Sequence, residues 1–304
     1  MKLRAGRIKV LGGVAGMILL SCGGSTGQEW GAGRGGPGRL PVSYSQTLDV
    51  SGATIQVDFA GGRLDVGTPA AVAWVQNAAT AVSTYYGRLP VKTARVLVMS
   101  VSDRDGVLQG TTWANRTGFP GFTRMRLGEH TTEEQLVEDW TMTHELSHMA
   151  FPSLPDEQHW MEEGMATYVE PIARVQAGQL TAKQIWKDMM EGMPKGEPGP
   201  GDEGLDRTHT WGRTYWGGAL FCLVADVEIR KETKNRKGLQ DALRAIVEQG
   251  GTINQDWPIT RAFEVGDKAT GDSCARRDVW QVEHVAGDVG PCWIVEGTGC
   301  AAGG

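Results

Sequence analysis

Apolar residues recur along the chain with two periods, and the change from one to the other divides it. Residues 47–59 and 63–66 alternate apolar with polar positions, as half-buried strands do, and residues 95–101 read as a buried strand. Between these, residues 69–86 place Val72, Val75, Ala79 and Val82 on one helical face. The stretch 111–127 is extended in character but broken by Gly118, Pro120 and Gly121. From Thr131 the period becomes helical. Thr131 and Glu134 have the spacing of a capping box, Leu136, Val137, Trp140 and Met149 follow at helical intervals, and Pro152 stops the run. A second helix is expected over residues 158–169, ended by Pro171, with further helices over 181–193, 212–230, 238–249 and 259–265. The pattern predicts an α+β domain over residues 41–273: a small mixed α/β lobe over 41–130, then helices over 131–273.

Within the first of these helices, His144-Glu145-Leu146-Ser147-His148 puts two imidazoles four residues apart, on one stripe with Leu136 and Trp140. Two such nitrogens can hold one cation while Glu145 sits beside its open position. A catalytic zinc keeps three protein ligands and an exchangeable water whose pKa falls towards ~7, and a nearby carboxylate then takes the proton. Two histidines on a buried helix also pack without metal, so a third ligand matters. Glu163 supplies it from the second helix, separated from the first by a short turn around Pro152 and Pro155. His159 is an alternative nitrogen ligand, and Glu162 points elsewhere on the helix. Glu170 follows Glu163 by seven positions, about two turns, and is expected to hydrogen-bond the far nitrogen of His144. One Zn2+ ion held by His144, His148 and Glu163 is the expected cofactor.

Trp160, Glu163, Gly164, Ala166 and Tyr168 match W-x-x-E-G-x-A-x-Y, the pattern that follows H-E-x-x-H in the gluzincin superfamily, and the chain resembles that superfamily. Its members include the M1 aminopeptidases and the M61 glycyl aminopeptidase-like group. The resemblance implies a thermolysin-like catalytic domain with the zinc site between an α/β lobe and a helical lobe. It also implies Glu163 as third zinc ligand and a supporting role for Glu170. Thr214-Tyr215-Trp216-Gly217-Gly218-Ala219-Leu220 is similar to the superfamily's Y-x-K-G-A-L segment, with Tyr215 at the catalytic tyrosine. A phenol aimed at the scissile carbonyl stabilises the oxyanion as it forms, and such donors contribute ~2.7–4 kcal/mol. Gly217 stands where many relatives carry Lys, so no charge acts there. The resemblance covers roughly residues 68–271 and is to a compact version, with a shorter interval between His148 and Glu163 than in the M1 enzymes. Residues 111–127 are expected to act as the edge strand that holds substrate backbone by strand addition.

The amino terminus adds a compartment. Lys2, Arg4, Arg7 and Lys9 precede the apolar residues 10–20, and Leu19-Leu20-Ser21-Cys22 follows, which reads as a bacterial lipoprotein signal over residues 1–21 with Cys22 as the lipidated residue. The apolar run is too short for a spanning helix of ~20 residues. Residues 22–40 are glycine-rich and read as a flexible tether. The expectation is a protein of the bacterial cell envelope, exported and anchored to a membrane through Cys22; a plain secretory signal would leave it secreted. Cys222, Cys274, Cys292 and Cys300 suit an oxidising compartment. A single bridge within the tail 274–304 is favoured, with Cys222 a buried thiol, and no C-x-x-C spacing suggests a second zinc site.

Charge narrows the partners. With 30 Lys and Arg against 36 Asp and Glu, the net charge is −6 and both signs are mixed along the chain, so no basic stripe is set out for nucleic acid. The Pro- and Gly-rich stretch 194–209 is long for a connection and leads towards Tyr215; His209 and Arg213 lie where they could reach substrate, although a solvated His and a surface Arg are the plainer readings. The expected function is zinc-dependent hydrolysis of a peptide or protein substrate, with Glu145 as base and Tyr215 as oxyanion donor. The alternative is a noncatalytic zinc- or peptide-binding lipoprotein, which has no need of either group.

Overall fold

A two-residue turn sets the first hairpin. Ser51 and Gly52 both have positive φ, 52° and 77°, which matches the twist of paired strands. The turn splits the alternating run 47–59 into β1 (Val42–Val50) and β2 (Ala53–Ala60), paired antiparallel. Residues 63–66 are not the strand expected of them. The Asp65 N–H goes to Glu129 O and the Gly67 N–H turns back to Leu64 O, so this segment is a turn into the next helix. That helix, α1 (Gly67–Tyr86), buries Val72, Val75, Ala79 and Val82 as expected. It carries the chain to β3 (Thr93–Val101), parallel to β2. The stretch 111–127 belongs to two strands, β4 (Val107–Arg116) and β5 (Phe119–Gly128), with β5 inserted beside β3. The sheet order is β1-β2-β3-β5-β4, which leaves β4 at an edge.

The computed structural model describes residues 41–271. The lipoprotein signal, Cys22, the tether, and Cys274, Cys292 and Cys300 lie outside the described residues. Among those described, no helix is long and apolar enough to cross a membrane. One sheet face, through Ile55, Val57, Val96, Val98, Met125 and Leu127, is buried in the same hydrophobic cluster as the α1 stripe. Full burial of side chains of this size contributes ~1.5–3 kcal/mol each. The cluster continues through Leu146, Met149, Met165 and Val169 to Leu243, so sheet and helices share one core.

The expected metal-bearing helix is two helices. α2 (Glu133–Glu138) opens with a capping box formed by Thr132 and Gln135 rather than Thr131 and Glu134. It stops at Asp139, whose backbone is extended. The Asp139 carboxylate accepts the N–H groups of Thr141 and Met142 at 3.0 Å each, and the indole N–H of Trp74 at 3.0 Å. Asp139 thereby caps α3 (Thr141–Ser147), doing from one residue earlier what an N-cap carboxylate does. The break leaves Val137 and Trp140 71% and 46% exposed, while the Trp140 ring still meets that of His144 edge-on with centroids 5.3 Å apart, as their shared stripe predicts. Residues His148–Ala150 tighten into a 3-10 turn.

The second helix, α4 (His159–Gln176), runs through Pro171 instead of ending before it. Proline within a helix removes one backbone donor, and here the buried residues Glu170, Ala173 and Arg174 hold the last turns against the core. Beyond it come α5 (Ala182–Gly192), a π-helical turn (Gly212–Gly217), α6 (Gly218–Glu232), α7 (Leu239–Glu248) and α8 (Ile259–Thr270). Cys222 in α6 is a free, buried thiol, and burial pushes its pKa up.

Candidate metal centre

α3 is short, but it is held at both ends: Asp139 fixes its start, and Leu146 and Met149 anchor its far side in the core. That leaves His144 and His148 facing α4. His144 Nε2 lies 3.0 Å from Glu163 Oε2, and His148 Nε2 lies 3.6 Å from the same oxygen. Two donors at ~2.0–2.1 Å from one zinc in a tetrahedral shell sit ~3.3 Å apart, and the two observed spacings bracket that value. One ligand atom from each of His144, His148 and Glu163 falls within 4.8 Å of the others. The donor set of two imidazoles and one carboxylate suits zinc. The three residues predicted as ligands are therefore brought together.

The charges of His148 and Glu163 suit the task. Burial lowers the His148 pKa to about 4, so this imidazole is neutral and its lone pair is available. Burial alone would raise Glu163, but His148, His144 and His159 around it hold the carboxyl well below the usual range, and it is ionised. Burial opposes charge on His144, but the hydrogen bond to Glu163 together with the charges of Glu163, Glu145 and Glu170 outweighs it and raises the pKa.

Glu145 points to the sheet. Its side chain lies against the inner face of β4, where Thr112 Oγ1 donates to Glu145 Oε2 at 2.8 Å. It packs on Gly110, where a Cβ would come within 2.5 Å of Glu145 Cγ. Burial pushes the Glu145 pKa up to about 7, against the pull of His144 and of the Thr112 hydrogen bond. A carboxylate near neutrality is well matched to taking up and returning a proton.

Glu170 does not do what its spacing suggested. It is buried, and its Oε1 accepts from Arg174 Nη1 at 2.9 Å, one helical turn away. It acts on His144 only through charge, and His144 Nδ1 is buried with no hydrogen-bond partner among the described residues. Burial raises Glu170 to about 7 despite Arg174. The seven-residue spacing gives the direction correctly, but a guanidinium four residues on competes for the carboxylate and wins. His159 is not among the converging donors. Its Nε2 sits 3.2 Å from the other oxygen of Glu163, Oε1, and its Nδ1 3.0 Å from Glu162 Oε2, and these two carboxylates raise its pKa to about 10. Glu162 also accepts the Leu154 N–H.

Tyr215 arrives from the π-helical turn. Its ring stacks on that of His144 with centroids 6.0 Å apart and planes at 22°. π-helical turns are frequent at functional positions, and this one is fixed by direct backbone contact. Gly164, next to Glu163, touches Gly218: a Cβ on Gly164 would fall 2.3 Å from Gly218 Cα. The glycine of the W-x-x-E-G pattern is therefore what lets the Tyr215 segment close on the helix that bears Glu163. Arg213 is not a surface group: it is buried, pairs with Asp202 at 2.7 Å and donates to Gly196 O, pinning the 194–209 stretch. His209 is exposed.

Gly110, Thr112, Asp139 and Arg174 escaped the sequence reading. Gly110, Thr112 and Asp139 act through a partner on another element or across a helix break, so no spacing marks them, whereas Arg174 pairs with Glu170 four residues earlier on the same helix. The alternation of β4 carried the other signal, since it puts Gly110 and Thr112 on one face.

No family model matches the sequence, and no curated protein does. Solved structures do. An aminopeptidase N family protein from Idiomarina loihiensis matches with a TM-score of 0.52 and 16% identity over 69% of this chain and 42% of that one. An M1 zinc metallopeptidase from Deinococcus radiodurans matches with a TM-score of 0.51 and 17% identity over 81% of this chain and 55% of that one. A mutant of an M1 zinc metallopeptidase from the same organism, bound to a Tyr-Ser-Ala substrate, gives 0.51 and 16% over 79% and 52%. The chain spans about half the length of these structures. The described residues share the fold of M1 zinc metallopeptidase domains, which supports the gluzincin-like expectation at the level of fold.

Proposed function

We propose that this chain is a zinc-dependent peptidase that hydrolyses peptide bonds in peptide or protein substrates. The observation that carries the reading is the convergence of His144 Nε2, His148 Nε2 and Glu163 Oε2, with Glu145 buried alongside. His144, His148 and Glu163 would hold the zinc ion, which when bound would supply Lewis acidity towards the scissile carbonyl and the attacking water. Glu145 accepts the proton of the attacking water and returns it to the leaving amine. The Tyr215 hydroxyl donates to the carbonyl oxygen as charge develops on it. β4, an edge strand beside Glu145, takes the substrate backbone as an added strand and so sets its position. A binding protein has no use for a buried carboxylate beside its metal, and this favours an enzyme over a binding module.

The test is cleavage of a peptide library by the wild-type protein and by Tyr215→Phe, with zinc content measured in both. The expected result is unchanged zinc and a fall in kcat of ~100- to 1,000-fold for Tyr215→Phe, the effect of losing one oxyanion donor. Stoichiometric zinc with every peptide left intact by the wild type would favour the binding module.

A further inference from the structure

We propose that Thr112, braced by Thr123, is a positioning residue that pins one oxygen of Glu145 and leaves the other to carry the proton. Three distances meet at one hydroxyl. Thr112 Oγ1 lies 2.8 Å from Glu145 Oε2, 3.0 Å from the Glu145 carbonyl oxygen and 2.9 Å from Thr123 Oγ1. A threonine hydroxyl has one proton to give and two lone pairs to offer. Thr123 is fully buried, and Thr112 is the partner of its hydroxyl. The direction of the pair follows. If Thr112 donated to Thr123, the Thr123 proton would have no acceptor and a buried carboxylate oxygen would lose its donor, two losses that buried groups rarely bear. In the opposite direction Thr123 donates to Thr112, and the one Thr112 proton goes to the nearer, charged Oε2 of Glu145 at 2.8 Å rather than to its carbonyl oxygen at 3.0 Å.

Gly110 completes the arrangement from the same strand face. A Cβ at this position would come within 2.7 Å of Glu145 Oε1, so the carboxylate lies flat on bare backbone, and Oε1 takes no hydrogen bond from a described residue. The two oxygens are thus unequal. Oε2 is held by a neutral donor, and Oε1 receives the proton of the attacking water and hands it to the leaving amine. The proton enters and leaves at Oε1, so neither threonine O–H bond breaks and no further reactant is needed. The last torsion of a glutamate is broad and roughly two-fold. Without the Thr112 hydroxyl the carboxylate turns about it, and the productive oxygen is presented only part of the time.

The kinetic consequence rests on the peptidase reading, whereas the hydrogen bond does not. Thr112→Val removes the hydroxyl and keeps the shape, Thr112→Ser keeps the hydroxyl, and Thr123→Val removes the brace alone. Each full-length variant is measured for zinc content, melting temperature, kcat and KM on a fluorogenic peptide, and the infrared carboxylate band of Glu145 at alkaline pH, assigned by difference from Glu145→Gln. For Thr112→Val the expected result is wild-type zinc content, KM within about twofold, kcat lower by about ten- to a hundredfold, as losing a hydrogen bond to a charged group implies, and a shifted band. Thr112→Ser is expected to restore both kcat and band. Thr123→Val is expected to lower kcat by about threefold to tenfold, in proportion to a weaker indirect effect, and it decides the matter if Thr112→Val does not fold. Wild-type kcat with an unshifted band in Thr112→Val, or equal impairment of Thr112→Ser and Thr112→Val, would overturn the proposal. A wild-type protein that cleaves no peptide would overturn the peptidase reading instead, and the infrared band alone would then decide whether Thr112 holds Glu145.

Discussion

Glu145→Gln is expected to lower kcat by ~100- to 10,000-fold, the range spanned by general acid–base catalysis, while zinc remains bound. The same substitution is expected to make the metal-free protein more stable. Burial raises the Glu145 pKa from an ordinary value of 4.5 to about 7 in the fold. A carboxyl raised on folding binds its proton more tightly in the native state, so its stabilising effect is complete below about pH 4.5 and is lost as pH rises through about 7. Above that pH the wild-type protein carries a buried, ionised carboxylate at a cost of about 3 kcal/mol. Glutamine has no such charge and can still accept the Thr112 hydrogen bond. Urea unfolding in the presence of a chelator should therefore show Glu145→Gln about 3 kcal/mol more stable than wild type near pH 8, with the difference gone near pH 4.5. A variant that is less stable at both pH values would mean that Glu145 is a structural carboxylate rather than a strained catalytic one.

The second large effect belongs to Gly164. Its Cα hydrogens face the backbone of Gly218, and a methyl group there would sit 2.3 Å from Gly218 Cα and 2.8 Å from Ala219 N. Backbone cannot turn aside as a flexible side chain can, so Gly164→Ala must push α6 and the π-helical turn away from α4. Overpacking of this kind costs ~1–3 kcal/mol. It also shifts Tyr215 against His144, and displacement of a catalytic group by ~1 Å can cost ~100-fold in rate. The expected result is a lower urea midpoint and a kcat reduced about a hundredfold, with zinc still bound because His144, His148 and Glu163 lie on the α3–α4 side of the contact. Unchanged stability and turnover would show that the Gly164–Gly218 contact does not position Tyr215.

What the sequence revealed and what it hid divide along a physical line. Residues that act at helical spacing were legible: His144 and His148 share a face because they are four apart, and the α1 stripe Val72, Val75, Ala79 and Val82 is buried as its period requires. Glu163 was legible because its surrounding pattern is specific. The break at Asp139 was not, since an aspartate in a helical run looks like a solvated position until its carboxylate is seen to cap Thr141 and Met142 and to accept from Trp74. Pro171 misled in the other direction, because packing of Ala173 and Arg174 outweighs one missing hydrogen bond. Glu170 shows the limit of spacing as evidence: direction along a helix was right, but the partner was chosen by Arg174, a residue the spacing did not consider. Alternation puts Thr112 and Gly110 on one strand face, but their partner was hidden, since strand β4 meets α3 only in the folded sheet.

Zinc titration of the chelator-stripped protein, read by peptide cleavage, tests the central claim most directly. The expected result is no cleavage without metal, activity rising linearly with added zinc until about one ion per chain, the stoichiometry of a single site with three protein ligands, and no recovery in Glu163→Ala. Cleavage that persists in the stripped protein, or that returns equally in Glu163→Ala, would contradict it.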